Sequence, residues 1–225
     1  MKRTRLILLA ALMCAPVITR AVTVITSLPY TISAPGAYTL SNNLTANGTD
    51  GIDVNASNVS IDLGGFTLAD AQKQGAGINV SSGMSNVSVQ NGTITGFYSD
   101  VAFFSGSGDT LTNVQVLNFS PFGVIVEANN SLIQNCTVVG TGNSAAGILI
   151  YQCGGVGVRN NQISECNTGI YTVGATSPNA LIENYEANCT TSGLSLDSKT
   201  KYQGNVTTNC ATPVIGGIAI GQENG

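Results

Sequence analysis

The stretch GILIYQCGGVGVRNNQI, residues 147–163, contains the two phrases that decide the fold. The first phrase, GILI, is a glycine followed by two apolar residues with one residue between them. Versions of it recur every 22–26 residues, at GIDV (51), GINV (77), DVAF (100), GVIV (123), GIYT (169), GLSL (193) and GIAI (217). Recurrence with so little drift is typical of a repeat protein.

The second phrase, VGVRNNQI, alternates apolar and other residues, reaches an asparagine and continues into another apolar stretch. It recurs as NVSVQNGTI (86–94), NVQVLNF (113–119), SLIQNCTV (131–138) and ALIENYEA (180–187). Alternation with a period of two indicates strands, and Gly, Asn, Ser and Thr end each strand after a few residues. Each unit is therefore predicted to be three short strands joined by turns.

Units this short bury their apolar face only by stacking on their neighbours, with equivalent strands parallel and about 4.8 Å apart. The first strands then supply two inward columns of side chains. The first column is predicted to be Ile52, Ile78, Val101, Val124, Ile148, Ile170, Leu194 and Ile218. The second is Val54, Val80, Phe103, Val126, Ile150, Thr172, Leu196 and Ile220.

These phrases resemble the repeats of right-handed parallel β-helix proteins in the pectate-lyase-like superfamily. GI-x-V resembles the first strand of that family, and I-x-x-N-x-x-I resembles its second strand, asparagine turn and third strand. The opening LPYTISAPGAYTLSNNLT (28–45) is similar to the strand pair that begins such helices. We therefore expect an all-β, single-stranded right-handed parallel β-helix of about eight coils over residues 51–225, after N-terminal strands or a cap at 22–50.

Two further columns are expected at the corners of the coil. Asparagine tolerates the left-handed backbone conformation, and its amide can bond to neighbouring coils. One corner is predicted to hold Asn91, Asn118, Asn135, Asn160 and Asn184. Another is predicted to stack Cys166, Cys189 and Cys210, either with one disulfide (Cys189–Cys210 or Cys166–Cys189) or as buried thiols.

The N-terminus has the pattern of a secretory signal peptide over Met1–Ala21. Three cations at residues 2–5 precede the apolar run LILLAALMCAPVI, which is too short to span a bilayer. An uncleaved anchor and a lipoprotein at Cys14 are the alternatives. The expected location is secreted, extracellular or at the cell surface, with the periplasm as a variant. No second long apolar run follows, so no transmembrane segment is expected in the mature chain.

Composition excludes several kinds of chemistry. The 225 residues contain 8 Lys+Arg, 12 Asp+Glu and no His. The absence of histidine rules out imidazole bases and His-based metal sites. An acidic balance argues against binding to a phosphate backbone, so no nucleic-acid partner is expected.

Outward positions on the first strands are the candidate site. Enzymes in the family that the chain resembles carry several outward carboxylates there, with histidine, arginine or Ca²⁺ as partners. Here the outward row is Asp53, Asn79, Ala102, Ile125, Leu149, Tyr171, Ser195 and Ala219. The acidic residues in this row and beside it give only weak catalytic candidates, Asp53 and Asp100, and a weak Ca²⁺ site at Asp50 and Asp53. No other cofactor is expected.

The row also contains three large apolar residues in successive coils: Ile125, Leu149 and Tyr171. Unless the segment 95–110 covers them, they form an interface for a ligand, a partner or a second copy of the chain. We expect a secreted, non-catalytic β-helix that acts as a carbohydrate-contact, adhesion or structural module. The alternative is a polysaccharide lyase or glycoside hydrolase acting on a uronate-type polysaccharide.

Overall fold

The computed structural model describes residues 21–221, and this part of the chain is a parallel β-solenoid without helices. The predicted signal peptide lies, apart from its last residue, outside the described residues. The strands are β1 (Thr23–Ile25), β2 (Tyr30–Ile32), β3 (Gly36–Leu40), β4 (Leu44–Ala46), β5 (Ile52–Val54), β6 (Val59–Asp62), β7 (Thr67–Asp70), β8 (Ala76–Val80), β9 (Val87–Thr95), β10 (Ser99–Phe103), β11 (Thr110–Leu117), β12 (Phe122–Val126), β13 (Leu132–Gln134), β14 (Thr137–Tyr151), β15 (Gly157–Arg159), β16 (Gln162–Val173), β17 (Ala180–Ile182), β18 (Tyr185–Ala187), β19 (Ser192–Gln203), β20 (Val206–Thr208) and β21 (Thr212–Ala219).

Each coil contributes one segment to each of three parallel sheets, as the sequence predicts, and strands such as β14 and β19 run on from one sheet into the next. In the first-strand sheet, Asp53 of β5 pairs with Asn79 of β8, and the register continues through β10 and β12. The second-strand sheet contains β13, β15 and β17 in direct register. The third-strand sheet ends with β18 and β20. The coils that the alternating phrases predict are thus confirmed.

The segment predicted to hold N-terminal strands or a cap contains a full coil. β2 pairs with β5, β3 pairs with β6 and β4 pairs with β7, all in parallel register. Residues 30–46 are therefore a coil with all three strands. The short strand β1 precedes this coil and pairs with β3.

The inward columns hold the core. Ile148 is fully buried and pairs with Val124 on one side and Ile170 on the other, while Ile150 is 1% exposed. The seven predicted members of the first column from Ile52 to Leu194 are all fully buried. Thr172 interrupts the second column, and its hydroxyl lies 3.0 Å from that of Thr200. Burial of aliphatic side chains at each coil supplies the main favourable term for stacking.

The last coil departs from the predicted register. Leu194 pairs with Val214, so Ile218 does not extend the first column, and it pairs instead with Lys201 in the second-strand sheet. Ala219 follows it there, opposite Tyr202, and the outward position belongs to Ile215. Ile220 donates its N–H to the Tyr202 carbonyl, which also places it beyond the first strand. The GIAI phrase mimics the first-strand pattern, but TPVI (212–215) occupies that place.

The asparagine corner is only partly as predicted. Asn91, Asn135 and Asn160 have φ angles of 54–59° and follow second strands that pair in register. Asn118 instead ends a third strand, where its amide donates to the Thr95 hydroxyl. Asn184 is also displaced, because Glu183 takes the corner position with φ 55°.

Displacement by one residue places Asn184 inside the coil. It is 1% exposed, and its amide donates to the Val158 carbonyl and to Asn205 Oδ1, both at 2.9 Å. Asn161 repeats this arrangement one coil earlier, donating to the Ile133 carbonyl and to Asn184 Oδ1. Three coils therefore share a buried amide ladder that satisfies backbone groups at the turn.

The predicted cysteine column exists and contains thiols. The Thr190 N–H donates to the Cys166 carbonyl and the Ala211 N–H donates to the Cys189 carbonyl, which stacks the cysteines on successive coils. All five cysteines in the described residues are free. Burial raises the pKa of the Cys166 thiol to about 12, so the thiolate form is suppressed.

One carboxyl group lies inside the solenoid near its C-terminal end. Glu186 pairs with Ile163, so it continues an inward column that is otherwise aliphatic in the preceding coils. The residue is fully buried, and neither carboxyl oxygen has a hydrogen-bond partner. Burial raises the pKa of this carboxyl to about 8, because the charged form is poorly solvated there.

Candidate functional site

The outward side chains of the first-strand sheet form a row, which we call the first-strand face. It consists of Asp53, Asn79, Ala102, Ile125, Leu149, Tyr171, Ser195 and Ile215, each in direct register with the next. Parallel pairing aligns these residues because alternate side chains of every strand point to the same side. The row is polar at its N-terminal end and apolar over its middle coils.

The polar end is organised by one amide group. Asn79 Nδ2 donates to Asp53 Oδ1 at 2.9 Å and to Asp50 Oδ2 at 3.1 Å. The other oxygen of Asp50 accepts the Ala76 backbone N–H at 2.6 Å. Partial burial is the main cause that raises the pKa of Asp53, and the nearby Asp50 charge adds to it. The structure thus brings together the two carboxylates suggested as a weak Ca²⁺ site.

Asp100 does not belong to this group, which corrects its prediction as a catalytic candidate. Its side chain is fully buried, and one oxygen accepts the Phe97 N–H at 3.1 Å while the other has no partner. Burial raises the pKa of Asp100 well above its ordinary value. The residue takes the place of the repeat glycine at the second position of β10, and its side chain is buried in the coil.

The apolar part of the row is open. Ile125 and Leu149 are half-buried, and Tyr171 is 39% exposed. The segment 95–110 does not cover them, because Ser99–Phe103 is itself a strand of the sheet between β8 and β12. Its neighbours Tyr98 and Phe104 stand at either side of that strand instead.

A groove with a volume of about 220 Å³ joins the two parts of the row. Tyr98, which is 53% exposed, and Phe104 line it together with Ala102 on the sheet. Asp50 and Asn79 from the polar end of the row and Ile125 from its apolar part also line it. The acidic cluster and the apolar row, which the sequence analysis treated separately, therefore meet in one concave surface.

Ser99 adds a polar group to this groove. The residue is 4% exposed, lines the groove, and its hydroxyl has no hydrogen-bond partner in the protein. A buried hydroxyl without a partner costs free energy, so Ser99 is a local cost to stability at the wall of the groove.

A second pocket, of about 260 Å³, lies on the second-strand sheet. It is lined by Leu132, Gly157, Pro178 and Ala180, with Arg159 as its charged group. Arg159 is the single arginine of the described residues and lies on a different sheet from Asp50 and Asp53. The guanidinium and the carboxylates therefore do not share a site.

The described residues offer few ligands for a metal ion. Among residues 21–221, no group of three or more Asp, Glu, Cys or His side chains is arranged to hold an ion. Asp50 and Asp53 supply two carboxylates, whereas Ca²⁺ takes six to eight oxygen ligands. A weak Ca²⁺ site at these residues remains an untested prediction.

Sequence reasoning missed Tyr98, Ser99 and Phe104 as site residues. They belong to the run FYSDVAFF at 97–104, the most aromatic stretch of the chain. The alternation marks Val101 and Phe103 as inward, but residues beside a strand end follow no such rule. The signal in the sequence was the group of aromatic residues around Asp100, which stands where the other repeats have glycine.

Comparisons with known proteins agree with the fold. The family model described as "right handed beta helix region" matches residues 100–224. No curated protein matches the chain in sequence. The solved structures that resemble it include the Dettilon tailspike protein (gp208), with a TM-score of 0.64 and 13% identity over 82% of this chain and 42% of that one.

Tailspike protein 2 from Escherichia coli O157:H7 bacteriophage CAB120 is also similar, with a TM-score of 0.53 and 12% identity over 82% of this chain and 35% of that one. The chain thus spans less than half the length of these tailspike proteins, and identity this low establishes the fold alone. In the described residues no helix has the length and apolar character to cross a bilayer. Since the family match covers more than half of the sequence, the chain belongs to the right-handed β-helix family.

Proposed function

We propose that the protein is a secreted, non-catalytic β-helix whose first-strand face contacts a polysaccharide. The observation that carries the proposal is the groove that the exposed Tyr98 lines together with Asp50 and Asn79. Sugar rings present apolar faces and a rim of hydroxyl groups. An aromatic wall with a few hydrogen-bonding groups is complementary to both.

The rest of the row supports a ligand longer than one sugar. Ile125, Leu149 and Tyr171 continue from the groove in successive coils, at a spacing of about 4.8 Å. An extended chain lying along the coil axis would therefore contact one side chain after another. This geometry suits a linear glycan, as part of a carbohydrate-contact, adhesion or structural module.

Binding to a panel of polysaccharides tests this function. We expect retention of the protein on at least one polysaccharide, with retention lost or reduced several-fold in Tyr98→Ala. Tyr185→Ala is the matched control, because Tyr185 is also exposed (43%) but belongs to the third-strand sheet. Equal loss in both variants, or retention unchanged in Tyr98→Ala, would contradict the assignment to this face.

Glycoside hydrolysis is a second candidate, favoured by one specific observation. Asp50 and Asp53 accept hydrogen bonds from the same amide nitrogen at 3.1 and 2.9 Å, so the two carboxyl groups are close enough to act on one glycosidic bond. The raised pKa of Asp53 would suit a general acid. Release of reducing ends or unsaturated products by the wild type, abolished in Asp53→Ala, would replace non-catalytic binding with a glycosidase or lyase function.

The apolar residues Ile125, Leu149 and Tyr171 could instead bind a second copy of the chain. A second chain packed on Leu149 and Tyr171 would bury the exposed ring and the neighbouring aliphatic groups. Light scattering should then give a larger mass for the wild type than for the Leu149→Lys, Tyr171→Lys double variant. A monomeric wild type at high concentration would leave the row free for a glycan.

Export is part of the proposal, and it depends on residues 1–21. The cationic start and short apolar run have the pattern of a secretory signal. Mass spectrometry of the secreted product should find the first 21 residues missing, to within a few positions. Recovery of the full-length chain only in membranes would favour the uncleaved anchor.

A further inference from the structure

The pocket on the second-strand sheet lies where small residues replace larger ones. One outward position of this sheet is occupied in successive coils by Leu132, Gly157, Ala180 and Lys201, each in register with the next. Glycine has no side chain and alanine has a single methyl group, so a hollow remains between the leucine and the lysine. The pocket has a volume of about 260 Å³, and Pro178 also lines it.

Gly157 also determines where the guanidinium of Arg159 lies. Arg159 follows Gly157 by two residues on β15, so both face the same side of the sheet. A Cβ atom at position 157 would be 3.3 Å from Arg159 Nη2 and 3.2 Å from Leu132 Cδ1. The guanidinium therefore lies over the bare backbone of Gly157, where it lines the pocket and remains exposed.

The positive charge of Arg159 has no counter-charge in this pocket. Its in-register neighbours are Gln134 and Ile182, and no aspartate or glutamate lines the pocket. Glu183 follows Ile182, but its Cγ atom lies 3.3 Å from the position of a Cβ atom at Gly204, in the coil beyond. The planar fork of N–H donors matches the paired oxygens of a carboxylate or a sulfate.

A second cation lies further along the same column. Lys201 is exposed and stands two coils after Gly157, which corresponds to about 10 Å at the usual spacing of parallel strands. Residues 21–221 contain four cations, of which three lie in the C-terminal coils: Arg159, Lys199 and Lys201. Although the chain is acidic as a whole, its positive charge is concentrated at this end of the solenoid.

We propose that this pocket binds the anionic group of an acidic sugar, with Arg159 contacting the carboxylate or sulfate oxygens. The anion follows from the guanidinium, whereas the choice of a sugar rests on the proposed glycan-binding function. Leu132 and Pro178 offer apolar surface to the sugar ring, and Lys201 attracts the next charged unit of the same glycan. The pocket and the groove at Tyr98 lie on different sheets, so each site can be removed without the other.

Calorimetric titration with three tetrasaccharides tests the proposal: a galacturonate oligomer, its methyl ester and a sulfated galactose oligomer. At least one acidic oligomer should bind, and the oligomer that does so identifies the anion as carboxylate or sulfate. The neutral ester should bind on the order of ten-fold more weakly. Arg159→Gln should weaken the acidic oligomer by a similar factor, whereas Lys73→Gln, which removes a cation on the loop before β8, should not.

Gly157→Ala tests the shape of the pocket without changing its charge. The added methyl group would stand 3.3 Å from Arg159 Nη2 and 3.2 Å from Leu132 Cδ1, both at the ends of flexible side chains. The fold should therefore survive while the guanidinium is displaced, and affinity for the acidic oligomer should fall several-fold. Thermal unfolding of each variant is the control for folding.

The outcomes separate this inference from the proposed function. Equal affinity for the acidic oligomers and the neutral ester, binding that is unchanged in Arg159→Gln, or no binding of any of the three would overturn the inference. Binding that is lost in Tyr98→Ala but kept in Arg159→Gln would overturn it too, while leaving the glycan function of the first-strand face intact. Loss in Arg159→Gln, with Tyr98→Ala unchanged on every polysaccharide, would support this pocket and contradict the first-strand face.

Discussion

The inward and outward residues of the same first strands differ in a simple way. Facing inward, the column from Ile52 to Leu194 keeps one chemistry through seven coils, because every member must fill the same space between its neighbours. Facing outward, the row changes from carboxylate at Asp53 to isoleucine at Ile125 and tyrosine at Tyr171. Stacking therefore constrains one face of each strand and leaves the other available for function.

The largest effect should come from placing the same charge on the two faces. Ile148→Asp introduces a carboxylate into a fully buried position between Val124 and Ile170. An unpaired buried charge costs several kcal/mol, which is a large part of a typical stability of about 5–15 kcal/mol. We expect this variant to be unfolded by circular dichroism.

The neighbouring Leu149→Asp is its control. Leu149 is half-buried and outward, so the change should lower the free energy of unfolding by about 1 kcal/mol or less. Similar melting temperatures for the two variants would show that the register of β14 is wrong.

Glu186 is the exception inside the solenoid, and it predicts a pH dependence. Its folded pKa of about 8 lies above the ordinary value of 4.5, so its contribution is fully present below pH 4.5 and is lost as pH rises through 8. At about 1.4 kcal/mol per pH unit, wild-type stability should fall by roughly 2 kcal/mol between pH 6.5 and 8.5. Cys189, whose own thiol pKa is raised by burial, is the titratable group that Glu186 influences directly.

Urea unfolding at the two pH values measures this contribution. Glu186→Gln keeps the size of the side chain but removes the ionisable group. Between the two pH values, the free energy of unfolding of this variant should change by less than half as much as that of the wild type. Burial also raises the pKa of Asp109, to about 6. Most of its effect on stability is therefore lost below pH 6.5, and it adds little to the change between pH 6.5 and 8.5. A wild type whose stability is the same at both pH values would contradict the buried position of Glu186.

The smallest expected effect is a difference in thiol labelling between buried and partly exposed cysteines. Four described cysteines are buried, and Cys210 is half-buried. In a Cys14→Ser background, a maleimide at pH 7.5 should modify Cys210 first and the others only after unfolding, since burial suppresses the thiolate. Five thiols titrated after denaturation are expected; three would show that the oxidised Cys189–Cys210 or Cys166–Cys189 pair forms instead.

The inward pattern explains why the fold was predictable from the sequence. Regular spacing and a period of two are sufficient to identify coils and to align Ile148 with Val124 and Ile170. The residues that were wrongly placed lie where a similar phrase occurs out of register or where the register shifts by one residue. GIAI at 217–220 copies the first-strand phrase, and a shift of one residue separates Glu183 at the corner from Asn184 inside the coil.

The candidate site was predictable only in pieces. Asp50, Asp53 and the apolar row follow from strand alternation, since neighbouring coils bring equivalent positions together. Tyr98 and Phe104 lie beside a strand end, where the backbone turns and no periodicity gives the direction of a side chain. Asp100 was misplaced because it stands at the glycine position of the repeat within β10, where the side chain is buried.

The most direct measurement of the central claim is a crystal structure of the protein soaked with a polysaccharide fragment that it retains. We predict electron density for a sugar ring against Tyr98, with further units along Ile125 and Leu149. Density in the pocket beside Arg159, with an empty groove at Tyr98, would contradict the account.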